Sequence, residues 1–430
     1  MTPVHSWHPS GWWLLASSLP ILLLGDGLLA SVKPLARFDL PSPIVGGLLI
    51  ALIVLIINLS GRADVQLASK VSSPLWYWII TPSIGFKQSN PGPVYLPLST
   101  AFFCCVGLNA SWSVAKKGSW QLLLLLGLAT LLGVLQNFMG VAIARGLHQS
   151  PLLGLICGSV TLTGGPSTAL GFASTFQKAG FPAADVVGAA AAMFGIVAAS
   201  LIAGAFGGQL VRRLQLRTPC QMPASIVRRS GTGFLAHLNA IRLLGPSAIK
   251  HAVIILLCMK LGAWLSLGIN AMRISLPVYM GAMLVAVAVR NISDSFGNSA
   301  IKTDSVTAIA SVCLGLFLAT AMASLDLVKL KTLALPMLVI LGSQVVLMLM
   351  FALLVTYLLM GRDYEAAVMS AGHVGFGLGI TPNAVATMDV LEEKFGPAPR
   401  AVLLVTVVGA FLIDFTNSLI ITMHLNWLHH

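Results

Sequence analysis

The sequence predicts an all-α polytopic membrane protein, with ten transmembrane helices in two inverted five-helix repeats, each repeat carrying a re-entrant hairpin. Three observations lead there. Of the 430 residues, 57% are hydrophobic and 9% charged, with a mean hydropathy of +0.90, far outside the range of soluble domains. Apolar runs of about 20 residues, the length that crosses a hydrocarbon core, recur along the chain. Two further apolar stretches, near 150–175 and 366–389, are broken at mid-length by Gly, Pro, Ser and Thr. That pattern suits two half-crossings from one side better than a single through-helix.

The first repeat, residues 1–210, holds spans near 11–32, 40–60, 95–114, 119–144 and 183–209. A basic linker over 211–250 follows. The second repeat, 251–430, is served by spans near 248–271, 274–290, 305–325, 332–360 and 401–425. Five crossings is an odd number, so the second repeat is inverted relative to the first. Internal echoes agree: Leu40-Pro-Ser-Pro-Ile-Val-Gly-Gly-Leu-Leu returns as Leu276-Pro-Val-Tyr-Met-Gly-Ala-Met-Leu, and Gln136 precedes Gly164 by the same offset as Gln344 precedes Gly372. Lys and Arg favour one set of alternate loops about two to one, which places the linker in the cytoplasm and both termini outside. The first hairpin then dips from outside and the second from inside, so their tips meet near the middle of the bilayer. Trp12, Trp13, Trp112, Trp120 and Trp427 fall near span ends, where indole prefers the interface.

A net charge of +12 does not point to nucleic acid, because the basic residues sit in short loops between apolar spans without interleaved aromatic residues. Cys104, Cys105, Cys157 and Cys313 lie in charge-free apolar stretches and no C-x-x-C pair occurs, so neither a disulfide framework nor a zinc site is indicated. The first basic residue, Lys33, follows the first apolar run; a secretory leader carries its charge ahead of that run, so the run is read as a retained helix.

Candidate binding residues gather at the two hairpin tips. Half-helices that stop inside a membrane present unpaired N–H groups at one end and carbonyls at the other, which suit an anion and a cation such as Na⁺ respectively. Gly164 and Gly165 in the first tip, and Gly372, Gly375, Gly377 and Gly379 in the second, allow backbone to turn tightly and approach a ligand; the other reading is close helix packing. Thr163, Ser167, Thr168, Thr381 and Asn383 surround these glycines with polar groups and favour a ligand-lining role. His373 is placed near mid-membrane, where an ionisable side chain marks a functional position. Asp414 in the last span needs a cation, a proton or a donor network; with Asn417 one turn on, and Thr161 and Ser370 in the hairpins, it forms the candidate sodium set. A structural hydrogen bond from Asp414 to a hairpin is the alternative. Asn109, Gln136 and Asn137 read equally as hairpin supports and as ordinary interhelical hydrogen-bonding groups. Asp26 and Lys260 interrupt the first span of each repeat and read as structural. The Gly375-Phe-Gly-Leu-Gly379 run is not a dinucleotide fingerprint, which needs a βαβ setting and a different glycine spacing.

Several motifs together resemble the bacterial sodium/glutamate symporters: Pro41-x-Pro-x-x-Gly-Gly-Leu-Leu49, Gly107-Leu-Asn-Ala110, Gln136-Asn137, Gly158-Ser-Val-Thr-Leu-Thr-Gly-Gly165, Ala371-Gly-His-x-Gly-Phe-Gly-Leu-Gly-x-Thr-Pro382 and Gly409-Ala-Phe-x-Ile-Asp414. The resemblance runs from about Leu15 to Leu419. It implies Na⁺-coupled uptake of glutamate across a bacterial inner membrane, with no enzymatic step, by a homodimer in which a transport domain moves against a dimerising scaffold. It also implies that the substrate is held between the tips Thr163–Thr168 and Gly372–Asn383. One departure stands out: the family's first tip usually reads Gly-Gly-x-Gly, whereas here it reads Gly164-Gly165-Pro166-Ser167, and proline removes an N–H donor. Two other cargo readings remain on the residues alone, a hydroxy-carboxylate such as citrate or malate and a passive channel. An intramembrane hydrolase would need a second carboxylate, a Ser–base pair or a metal cluster beside Asp414, and none is evident.

Overall fold

The computed structural model describes residues 5–7, 9–32, 41–60, 63–67, 70–82, 94–95, 97–111, 120–217, 245–271, 278–296, 301–327 and 333–429. Residues 218–244 of the linker, Lys33, Leu40, Leu276, Pro277 and Trp112 lie outside them. Among the described residues the chain is helical apart from two short strand pairings, parallel between 5–7 and 63–65 and antiparallel between 70–71 and 94–95. Seven of the described helices are long and apolar enough to cross a membrane. Their apolar residues are far from all buried: Ser42–Leu59 has a mean hydropathy of 2.5 but only 28% of its window lies inside the protein, and Leu59, Trp13 and Trp120 are largely exposed. Apolar side chains left outward in this number require hydrocarbon around them.

The chain divides into two compact units, and each draws on both halves of the sequence. The first unit contains helices α1 (Gly11–Ser31), α2 (Ser42–Leu59), the short α3 (Pro74–Ile80), α4 (Leu98–Asn109), α9 (Pro246–Asn270), α10 (Val278–Ser295) and α11 (Thr303–Ala323). Glycine lets its helix pairs touch backbone to backbone. A Cβ on Gly46 would strike the Ile21 carbonyl and one on Gly25 the Ser42 carbonyl; α9 and α10 meet in the same way at Gly262 and Gly281. Lys260 is structural here, as its position suggested. Its ammonium donates to the Trp78 and Thr81 carbonyls at 2.6 and 2.8 Å and lies over the Trp78 ring, so a cation satisfies the C-terminal end of α3.

The second unit contains α5 (Trp120–Gly146), α6 (Pro151–Val160), α7 (Gly165–Lys178), α8 (Ala184–Arg213), α12 (Ala334–Leu359), α13 (Tyr364–Leu378), α14 (Thr381–Phe395) and a last helix α15. The last begins as Pro399–Val407, passes through a π-helical turn at Val408–Leu412 and continues as Ile413–His429. Both stretches predicted as hairpins, near 150–175 and 366–389, are helix–break–helix segments within this unit.

Candidate functional site

The two breaks share a construction. In the first, the Ser150 hydroxyl accepts from the Leu152 N–H at 3.3 Å and caps α6. The backbone leaves helical geometry at Gly158 and restarts at Gly165, whose φ of 66° is the left-handed conformation that glycine takes without steric cost. In the second, the Asp363 carboxylate accepts from Ala366 N at 2.7 Å and caps α13; the helix stops at Leu378, and α14 begins after an extended Ile380. The N-termini away from the breaks are thus capped. Those at the breaks, of α7 and α14, carry no side-chain cap, and each has a proline in its first turn, Pro166 and Pro382. Proline fits there because an N–H at that position has no intrahelical partner.

The breaks touch. A methyl group on Gly165 would lie 2.9 Å from Ile380 Cγ2 and 3.7 Å from the Gly379 carbonyl. α8 backs the junction: a Cβ on Gly195 would strike the Leu378 carbonyl and lie 2.9 Å from a Leu162 methyl. Two uncapped helix N-termini therefore meet inside one unit, where their N–H groups and partial positive charges favour an anion.

Gln136 on α5 ties the breaks together. Its amide nitrogen donates to the Gly377 carbonyl at 3.0 Å, and its amide oxygen accepts from the Thr163 hydroxyl at 2.7 Å. Its own carbonyl accepts from Gln344 Nε2 at 2.7 Å. Asn137 accepts from Ser159 N at 2.9 Å, while Asn417 donates to the Ser159 carbonyl at 3.0 Å. These bonds give polar groups at and beside the breaks partners that lipid could not supply; the Ser159 carbonyl also accepts from Gly164 N at 2.8 Å.

The remaining predicted residues fall into three groups. Thr168, Ser167, Thr381 and Asn383 lie in the first turns of α7 and α14. Thr168 Oγ1 and Asn383 Oδ1 are buried without a partner; Asn383 Nδ2 donates to the Ile196 carbonyl at 3.0 Å and to Ser200 Oγ at 2.6 Å, and Thr381 donates to the Gly409 carbonyl at 2.5 Å. Gly164 and Gly379 lie at the breaks themselves. By contrast, Gly372 packs on Val405 and Met388, Gly375 on Ala384, and Gly377 on Met348 and Leu132, so their surroundings are helix contacts. His373 shares a 2.9 Å hydrogen bond with Thr356, stacks on Phe376 with ring centroids 4.9 Å apart, and keeps Nε2 buried and unbonded.

In the candidate sodium set, Thr161, just past α6, and Ser370, within α13, donate to carbonyls one turn back, Ile156 at 2.7 Å and Ala366 at 2.8 Å. Asn417 reaches the first break, and Asp414, half-buried, stands three residues before it on α15. Sequence reasoning passed over Gly133, Ser159, Gly195, Ser200 and Thr356. The signal for the first two was faint: they lie a helical turn before Gln136 and one residue after Gly158, next to residues already singled out.

The model of the family described as sodium/glutamate symporter matches residues 13–397. A sodium/glutamate symporter of Escherichia coli (strain K12) is 34% identical over 413 residues, 96% of this chain and 96% of the relative. One of Haemophilus influenzae is 34% identical over 406 residues, 94% of each chain. No solved structure matches.

Proposed function

The chain belongs to the sodium/glutamate symporter family, and on that premise we propose that it carries glutamate into a bacterial cell with Na⁺ as the coupling ion. The observation that carries this reading is the meeting of two uncapped helix N-termini at Gly165 and Gly379–Ile380. Glutamate has two carboxylates, one for each N-terminus, and an ammonium for which the unbonded Asn383 Oδ1 is a buried acceptor. Pro166 removes one donor from the α7 end and leaves those of Ser167 and Thr168.

In this reading the two helix–break–helix segments are re-entrant hairpins within ten crossings, arranged as two inverted five-helix repeats. The protein is a homodimer of the inner membrane with both termini in the periplasm. Alternating access exposes the tips first to one side and then to the other. An imposed Na⁺ gradient across proteoliposomes should drive radiolabelled glutamate above its equilibrium level, and the accumulation should collapse when the gradient is dissipated. Excess unlabelled glutamate should compete and citrate or malate should not. Uptake that equilibrates passively, indifferent to Na⁺, would identify a channel; citrate competing better than glutamate would reassign the cargo.

A further inference from the structure

The first break carries a second polar cluster, on the side facing α5 and α15. Ser159 and Asn417 are at most 1% exposed, and Ser159 Oγ and Asn417 Oδ1 have no hydrogen-bond partner. The Asn417 amide is oriented by its Nδ2 bond to the Ser159 carbonyl, and the Ser159 backbone by its N–H bond to Asn137, so both residues are held from two sides. Between them α5 presents Gly133. A Cβ there would lie 3.5 Å from Asn417 Oδ1, 3.6 Å from Ser159 Cβ and 3.8 Å from Ile420 Cδ1, so the absence of a side chain leaves space beside both residues. An amide oxygen cannot donate, and a buried acceptor of this kind requires a donor or a cation.

We propose that Ser159 Oγ and Asn417 Oδ1, with the space kept open by Gly133, form a site for the coupling Na⁺. The inference rests on the sodium-coupled reading above and assigns its cation to the base of the first break. Neutral oxygen ligands suit a hard monovalent ion, and Asp414, three residues earlier on α15, places a carboxylate on the adjoining turn. A cation here neighbours the backbone that runs through Thr161 and Thr163 to the anion site, so filling the cation site steadies the tip that receives glutamate. That provides a route for coupling between the two ligands.

The test is a thermal-unfolding titration of the purified full chain with NaCl, without glutamate, against choline chloride at constant ionic strength. Wild type should show a Na⁺-specific, saturable rise in Tm. Gly133→Ala, whose added methyl makes only ordinary contacts, and Ser159→Ala should raise the half-saturating Na⁺ concentration at least tenfold. Asn417→Asp, which keeps the oxygen and adds charge, should hold or lower it. Glutamate binding to both alanine variants at saturating Na⁺ should approach the wild-type level, which shows that they are folded. Variants that titrate like wild type would overturn the assignment alone and leave these oxygens to water. A wild type with no Na⁺-specific shift, together with Na⁺-independent uptake, would overturn this site and the symport reading alike.

Discussion

Replacing Gly165 by valine is expected to reduce concentrative glutamate uptake by roughly a hundredfold at equal membrane expression. Two costs combine. A φ of 66° costs an L-residue about 1–2 kcal/mol, and a β-branched one more. A side chain there also meets Ile380 Cγ2 at 2.9 Å, which forces the two breaks apart. A loss of about 1.4 kcal/mol is tenfold in an equilibrium constant, so about 3 kcal/mol applied at the site itself gives the expected loss. Gly396→Val is the control. Gly396 also has a positive φ, 107°, but it follows the far end of α14 from the break, so that variant should lose stability while keeping the wild-type KM. Equal KM changes in the two variants would show that backbone strain anywhere in the unit disturbs binding, and the special role of the Gly165 contact would be lost.

Gln136→Leu should come second in magnitude. Leucine has nearly the volume of glutamine but leaves the Thr163 hydroxyl and the Gly377 carbonyl without the bonds that join the breaks. Each unsatisfied buried group costs about 1–3 kcal/mol. Glutamate KM is expected to rise at least tenfold, with Tm several degrees lower. Gln344→Leu separates bridging from simple support. Gln344 Nε2 bonds the Gln136 carbonyl rather than a group of either break, so its loss should lower Tm with little change in KM. Matching KM effects from the two variants would contradict a bridging role for Gln136.

Much of the second unit was legible in the sequence because the signals were physical and local. Glycine, proline and hydroxyl residues crowded into apolar stretches near 150–175 and 366–389 announced breaks, since unpaired backbone in hydrocarbon has no other outlet, and the helices stop in both stretches. Helices also occupy the stretches read as spans. Seven of the described helices meet the length and hydropathy needed to cross, and two of them, Gly11–Ser31 and Ser247–Asn270, do so in spite of Asp26 and Lys260. Leu98–Asn109 is short, so its sequence run of 95–114 overstated its helix, and part of that run lies outside the described residues.

What the sequence could not show was how the two halves combine. Hydropathy reports each span's solvent but not its neighbour, so the grouping of α5, α8, α12 and α15 with both broken segments, and of α1, α2 and α4 with α9, α10 and α11, appears only in the contacts. The glycines illustrate the same limit. Gly165 and Gly379 lie where the breaks meet, while Gly372, Gly375 and Gly377 sit against neighbouring helices. Composition treats all five alike, because the distinction depends on which backbone passes opposite. Gln136 and Gln344 stood at matching offsets in the sequence, yet only the fold shows one bridging the breaks and the other bonding the first one's carbonyl.

The central claim is that both helix N-termini hold one anion together. It is tested most directly by cysteines placed one at a time at Ser167 and Thr381, in a chain whose native cysteines are replaced by alanine, and alkylated with a membrane-impermeant thiol reagent in proteoliposomes. Glutamate with Na⁺ should slow labelling at both positions with the same half-protecting glutamate concentration, and neither Na⁺ alone nor glutamate alone should protect fully. Protection at one position only, or labelling at both that ignores glutamate, would contradict a shared anion site.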